Sequence, residues 1–358
     1  MIFDLEIIKT VVVFIALLIV LILTHELGHF AAAKMTKVKV EEFGLGLPPK
    51  IWGFKYGETI YSINAVPFGG FTRLLGEEDP TTPGSLASKS IGARIFVLSA
   101  GSLLNILLPI ILFTISFMIP HDVTVENVLI KEVAAGSPAQ TAGIEAGDRI
   151  VEINGHKVKN RGDLSYQIQL NLGNDTAMVV EKPDTSQLVV SVKPRWVPPK
   201  GQGATGVVLT SSDATSVVES MPIWQALPAS VTHSWEILVL FKNEVTGWFV
   251  RSTAPQLAGP IAIAQLTGEV IKAGISPLLE FAALISINLG IFNLLPIPGL
   301  DGGRLIFVLI EWARRGKRIS PQKEGMVHMI GFLAMIVLIL VISYFDVSRI
   351  IRGESLIP

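Results

Sequence analysis

The chain has 358 residues, of which 50% are hydrophobic and 16% charged, with a mean hydropathy of +0.54 and a formal net charge of −1. That balance is too apolar for an ordinary soluble protein of this length. A near-neutral chain without a basic, aromatic-interleaved patch is no nucleic-acid binder, and the lack of cysteine excludes disulfides and thiolate metal sites.

The first predicted element is a membrane span. From Thr10 to Ala33 only His25, Glu26 and His29 are ionisable, and Val11 to Leu23 has no polar side chain. A helix of that length covers roughly 36 Å, more than a hydrocarbon core of about 30 Å. The stretch Met1-Ile-Phe-Asp-Leu-Glu6 has no basic lead-in, so the run reads as a retained span and not a removed signal peptide. Ionisable groups at membrane depth are costly and mark function. His25-Glu-Leu-Gly-His29 is an H-E-x-x-H pattern, whose two histidines differ by about 40° around a helix and can hold one Zn²⁺ from one face. Glu26 beside them can polarise a water without ligating the metal. The plainer reading is a chance pattern, or two histidines facing headgroups. Three ionisable side chains in an apolar span need a partner, and a metal supplies it.

Val66-Pro-Phe-Gly-Gly-Phe-Thr-Arg-Leu-Leu-Gly76 follows, with glycines for a bend between apolar arms. Ile95 to Ile119 is a second span without charge. The next segment, from about Val123 to Pro194, alternates short apolar runs with turn residues, a small β-rich pattern. Within it Gly136-Ser-Pro-Ala-Gln-Thr-Ala-Gly-Ile-Glu-Ala-Gly-Asp-Arg-Ile-Val-Glu-Ile-Asn-Gly155 resembles bacterial PDZ domains. The resemblance implies a domain that takes up a peptide, often a C-terminus, as an added strand. A small β-domain without a peptide ligand is the alternative.

Ile223 to Val250 is interrupted by His233, Glu236, Lys242 and Glu244 but carries Trp224, Trp235 and Trp248, which suits an amphipathic segment on the membrane surface. Phe281 to Pro298 is a third, proline-broken span, and Met326 to Phe345 a fourth. Asp301 stands at the inner end of the third span, available as an oxygen ligand. The loop between the first two spans carries Lys34, Lys37, Lys39, Lys50, Lys55, Arg73, Lys89 and Arg94; that between the last two carries Arg314, Arg315, Lys317, Arg318 and Lys323. The positive-inside rule puts both loops in the cytoplasm, both termini outside, and the histidines toward the cytoplasmic side. The expected division is 1–122 as N-terminal membrane part, 123–195 as PDZ domain, 196–275 as linker and interfacial segment, and 276–358 as C-terminal membrane part.

His25-Glu-Leu-Gly-His29 in a first span with Asn293-x-x-Pro-x-Pro-x-x-Asp-Gly in a late one resembles the site-two protease family of intramembrane zinc metalloproteases. The four-span layout with an outer insertion after the second span is similar to its bacterial RseP group. The match covers nearly the whole chain, though one PDZ domain is found where some members carry two. The resemblance implies a multi-pass α-helical membrane protein of about four transmembrane helices with an inserted β-rich PDZ domain, in the bacterial inner membrane. It implies zinc on His25, His29 and Asp301, and Glu26 as the base that later protonates the leaving amine. Asn293 is similar to a family position that contacts substrate backbone or steadies the oxyanion; an interhelical hydrogen bond is its alternative. The 66–76 stretch resembles the family's membrane-associated β-element, which makes Gly69, Gly70 and Phe71 candidates for binding an unwound substrate as an added strand. An ordinary interfacial hairpin is the other reading. The partners implied are single-span membrane proteins such as anti-sigma factors or remnant signal peptides, peptide C-termini at the PDZ domain, and the bilayer. A membrane-anchored PDZ scaffold with a structural or degenerate metal site is the competing function. An intact Glu26 opposes it, because a structural zinc site needs no base and is normally closed by a fourth protein ligand.

Overall fold

The computed structural model describes residues 5–77, 81–251 and 258–353, without the side chains of Pro67 and Phe68; the Met1–Asp4 part of the N-terminal reading lies outside them. The chain divides into two units, one from residues up to Ser116 with those from Leu257 on, the other from Phe117 to Gln256.

In the first unit, α1 (Leu5–Met35) leads into β1 (Val40–Tyr56) and β2 (Thr59–Leu74), and α2 (Ile91–Met118) follows. The hairpin is bent so that Phe43 to Leu45 pair twice, with Tyr61 to Ile63 on one side and Phe71, Thr72 and Gly70 on the other. Residues 70–74 are therefore an outer strand. After the second unit come α6 (Pro260–Ala273), α7 (Ile275–Leu294), α8 (Asp301–Ala313) and α9 (Pro321–Ile351).

Among the described residues, α1, α2, α7 and α9 are long and apolar enough to cross a membrane. Their surfaces have the polarity expected of lipid contact. Ile111, Ile330 and Leu340 are exposed, whereas Ser102, Asn105, Ser116 and Ser286 are fully buried. The buried hydroxyls join helices: Ser286 Oγ donates to the Asn105 carbonyl (2.7 Å), and Ser116 and Ser276 share a 2.6 Å hydrogen bond. Such bonds, with small residues at close crossings, hold helices together where lipid offers no hydrophobic drive. The chain is a multi-pass membrane protein. The third span starts and stops earlier than expected, since Leu295 turns extended ahead of Pro296 and a residue before proline is pushed out of helix.

The second unit has β3 (His121–Val133), α3 (Pro138–Thr141), β4 (Arg149–Ile153), β5 (His156–Lys157), α4 (Arg161–Leu170), β6 (Thr176–Glu181), β7 (Gln187–Val192), β8 (Val207–Glu219) and α5 (Ile223–Arg251). The strands form one antiparallel sheet in the order β7-β6-β4-β3-β8, with β5 on β4. Asn154 and Gly155, both at positive φ, close the β4–β5 turn, a pairing that matches the twist of a hairpin. Ile130, Ile153, Leu164 and Val180 are buried in its core. Within the stretch expected as linker and interfacial segment, β8 pairs along β3 as an edge strand, and α5, over the expected interfacial segment, lies on α4. The charges in α5 keep it out of the helices apolar enough to cross a membrane, and its polar side chains meet α4. Glu236 accepts from Tyr166 (3.0 Å), and Asn243 donates to the Gln169 and Leu170 carbonyls (2.8 and 3.1 Å) at the end of α4.

Candidate metal centre

The site starts from one helical turn of α1. His25 and His29 are both 8% exposed, and their Nε2 atoms are 3.1 Å apart. Asp301 Oδ2 is 3.0 Å from the first and 3.1 Å from the second. Three ligands on a tetrahedral sphere with bonds of 2.0–2.1 Å stand about 3.3 Å apart, so this triangle has the size a zinc ion requires. Among the described residues, His25, His29 and Asp301 form a group that could hold a metal ion.

Neighbouring backbone orients one of these three donors, His29. His29 Nδ1 lies 2.8 Å from the Val97 carbonyl of α2, which makes Nδ1 the protonated nitrogen and frees the Nε2 lone pair. Among the described residues, buried His25 Nδ1 has no hydrogen-bond partner. Helix α2 comes this near because of paired glycines. A Cβ on Gly28 would stand 2.5 Å from the Ala100 carbonyl, and one on Gly101 2.7 Å from His29 Cδ2 and 2.8 Å from the His25 carbonyl.

Asp301 arrives from the opposite direction, as the first residue of α8, where a carboxylate faces the positive end of the helix dipole. The turn before it is buttressed by α9: the Gly299 N–H donates to His328 Nδ1 (3.0 Å), and a Cβ on Gly331 would stand 2.5 Å from Pro298 Cβ.

Glu26 is half-buried next to the histidines, and β2 passes beside it. Thr72 Oγ1 donates to the Glu26 carbonyl (3.0 Å); a Cβ on Gly70 would lie 3.2 Å from Glu26 Cγ and from Ile22. Of the three hairpin candidates, Gly70 thus abuts Glu26. Gly69 has φ +124 beside Leu47, and Phe71 pairs with Gly44 and lies under the Arg73 guanidinium at 5.4 Å. Asn293, near the end of α7, donates through its amide to the Leu289 carbonyl of its own helix (2.9 Å). The Val97 carbonyl and Gly101 are the contributors that sequence reasoning did not find. A backbone acceptor has no residue signature, and a glycine in an apolar span is common.

Peptidase family M50 matches residues 13–338 by its sequence profile. Among curated proteins, a zinc-metalloprotease homologue of Clostridium acetobutylicum is 36% identical over 92% of this chain and 94% of its own length. The zinc metalloprotease RasP of Geobacillus kaustophilus is 29% identical over 96% of this chain and 99% of its own. The regulator of sigma-W protease RasP of Bacillus subtilis is 28% identical with the same coverage, 96% and 99%.

Proposed function

This chain belongs to peptidase family M50 and is a membrane zinc metalloprotease, and from that premise we propose that it cuts the transmembrane segments of single-span membrane proteins with His25, His29 and Asp301 as metal ligands and Glu26 as base. The observation that carries the reading is the convergence of two Nε2 atoms and one carboxylate oxygen within 3.1 Å of one another, next to Glu26 and an outer strand at Gly70. Held by those three side chains, zinc would supply Lewis acidity to a water or a scissile carbonyl. Glu26 accepts the proton of the attacking water and returns it to the leaving amide nitrogen. His29 stays in the metal-binding tautomer through Val97.

A helical peptide bond is shielded and already hydrogen-bonded, so a substrate helix has to unwind first. The 70–74 strand supports this step: among the described residues its backbone pairs with β1 on one side only, and strand addition on the other brings an extended segment past Glu26. Gly70 keeps that passage narrow without filling it, and Gly69 and Phe71 flank it. Asn293 contacts substrate after release from Leu289. The sigma-W regulator named among the relatives supports membrane-bound regulators of transcription as a substrate class, with remnant signal peptides as chemically equivalent spans. Lysines and arginines in the 34–94 and 314–323 loops support a site toward the cytoplasm and the second unit outside, where β8 offers an edge for peptide C-termini.

Glu26→Gln keeps size and loses proton acceptance. Cleavage should fall by about 10²–10⁴-fold while the purified protein still carries about one zinc per chain. Near-normal cleavage by this variant removes Glu26 from the mechanism.

A further inference from the structure

The two halves of the metal site sit on helices that no covalent link holds in register, and the contact between them has a charged end. Arg94 in the first turn of α2 places Nη1 2.6 Å from Glu311 Oε2 of α8, with side chains 8% and 9% exposed. The other carboxylate oxygen, Oε1, takes Arg318 Nε at 3.0 Å, and Arg318 Nη2 donates to the Ala87 carbonyl just before α2 at 2.6 Å. Both oxygens of one buried glutamate are thus used, each by a guanidinium. In the sequence Arg94 and Arg318 look like ordinary cytoplasmic loop charges; in the fold they are spent on Glu311.

The placement of this group along the helices is informative. On α2, Arg94, Val97, Leu98 and Gly101 fall at i, i+3, i+4 and i+7, one face that begins at the ion group and ends at the histidines. On α8, Asp301, Leu305, Val308 and Glu311 likewise share a face that begins at the metal and ends at the ion group. Between them Val97, Leu98 and Val308 are packed in one core with Leu305 against it. Aliphatic contacts of that kind tolerate sliding, because one methyl group serves nearly as well as the next. A slip of α8 by one residue would carry Asp301 about 1.5 Å along the axis, whereas a metal site accepts ligand displacements of about 0.2 Å. Something other than apolar packing must select the offset. A buried charge network does so, since any other register leaves a charge without its partner in a low-dielectric interior.

We infer that Arg94, Glu311 and Arg318 form a positioning lock that sets the register of α8 on α2 and so holds Asp301 opposite His25 and His29. The inference rests on the ligand assignment proposed above. It concerns residues roughly 15 Å from the metal along α8, at 1.5 Å per residue, and assigns them a role in metal affinity, which packing alone would not give them.

The test compares zinc affinity with folding in the full-length protein purified in detergent, by chelator competition with zinc alone and by thermal unfolding. Glu311→Gln and Arg94→Met should each weaken zinc binding by about 10–100-fold, the range seen when an outer-shell support is removed. Because Glu311→Gln strands the buried Arg94 and Arg94→Met leaves Glu311 Oε2 without its partner, the double variant Arg94→Met with Glu311→Met is the decisive one. It removes the buried pair and keeps the volume, while Arg318, 32% exposed, reaches solvent and keeps its bond to the Ala87 carbonyl, so its unfolding midpoint should return close to that of the parent protein while zinc binding stays weakened at least tenfold. Zinc affinity within about twofold of the parent in the double variant overturns the inference and leaves the triad a contributor to folding only. Asp301→Ala, run alongside, separates the two levels. If it keeps full zinc content, the ligand assignment has failed; if it loses zinc while the double variant does not, only the lock has failed.

Discussion

Gly101→Ala tests the geometry of the site without replacing any proposed ligand. The added Cβ would fall nearest to His29 Nε2, then 2.7 Å from His29 Cδ2 and 2.8 Å from the His25 carbonyl. Ordinary contact begins near 3.4 Å, so about 0.6 Å must be found at the His25 carbonyl and more at the His29 ring. The His29 ring cannot supply it and remain a ligand, since its Nδ1 is tied to Val97 at 2.8 Å and metal sites tolerate about 0.2 Å. The alternative is for α1 and α2 to move apart, which costs about 1–3 kcal/mol as overpacking and draws Val97 from His29. Either route loosens a support of the metal ligands, for which a 10–100-fold loss of zinc affinity is expected, about 1.4–2.8 kcal/mol. Chelator competition on purified protein reads the affinity, and thermal unfolding reads the helix separation. Gly92→Ala on the same helix is the control, because nothing lies within 4 Å of its added Cβ. It should leave zinc binding unchanged. If Gly101→Ala also binds zinc within about twofold of the parent, α2 does not hold His29 as described.

Two further outcomes are expected. Single cysteines introduced into this cysteine-free chain should label from outside at Gly173 and from the cytoplasm at Lys55 and Lys317; outside labelling at Lys317 would reverse the proposed orientation of the C-terminal part. Asn243→Ala removes the two hydrogen bonds that α5 gives to the terminal carbonyls of α4. It should cost about 1–3 kcal/mol locally and speed amide exchange in the last turn of α4, and unchanged exchange there would mean that α5 does not cap that helix.

Much of this protein is legible in its sequence because a membrane imposes simple rules. Hydrocarbon length and the cost of charge mark four spans, and a helix repeat of about 3.6 residues makes His25 and His29 a pair on one face from their spacing alone. The glycine-and-asparagine turn at Asn154-Gly155 likewise follows from local backbone preference. Whatever depends on more than one segment is not readable in this way. Helix α5 resembles a weak span or interfacial helix in isolation, and its polar residues make sense only against α4. Val207–Glu219 looks like linker until β3 is beside it. Asp301 is legible as an acidic residue at a proline-broken helix end, but its 3.0 Å approach to His25 joins two distant parts of the chain and is set by tertiary contacts. Gly101 lets α2 reach the histidines, Val97 offers a carbonyl that any residue type would carry, and Glu311 takes up two arginines that read as topological signals. Sequence by itself determined which groups can do the chemistry, because ligand type and helical spacing are local properties. Only the tertiary structure decided their distances, because ångström-scale placement comes from helix packing and buried charge, which no single segment contains.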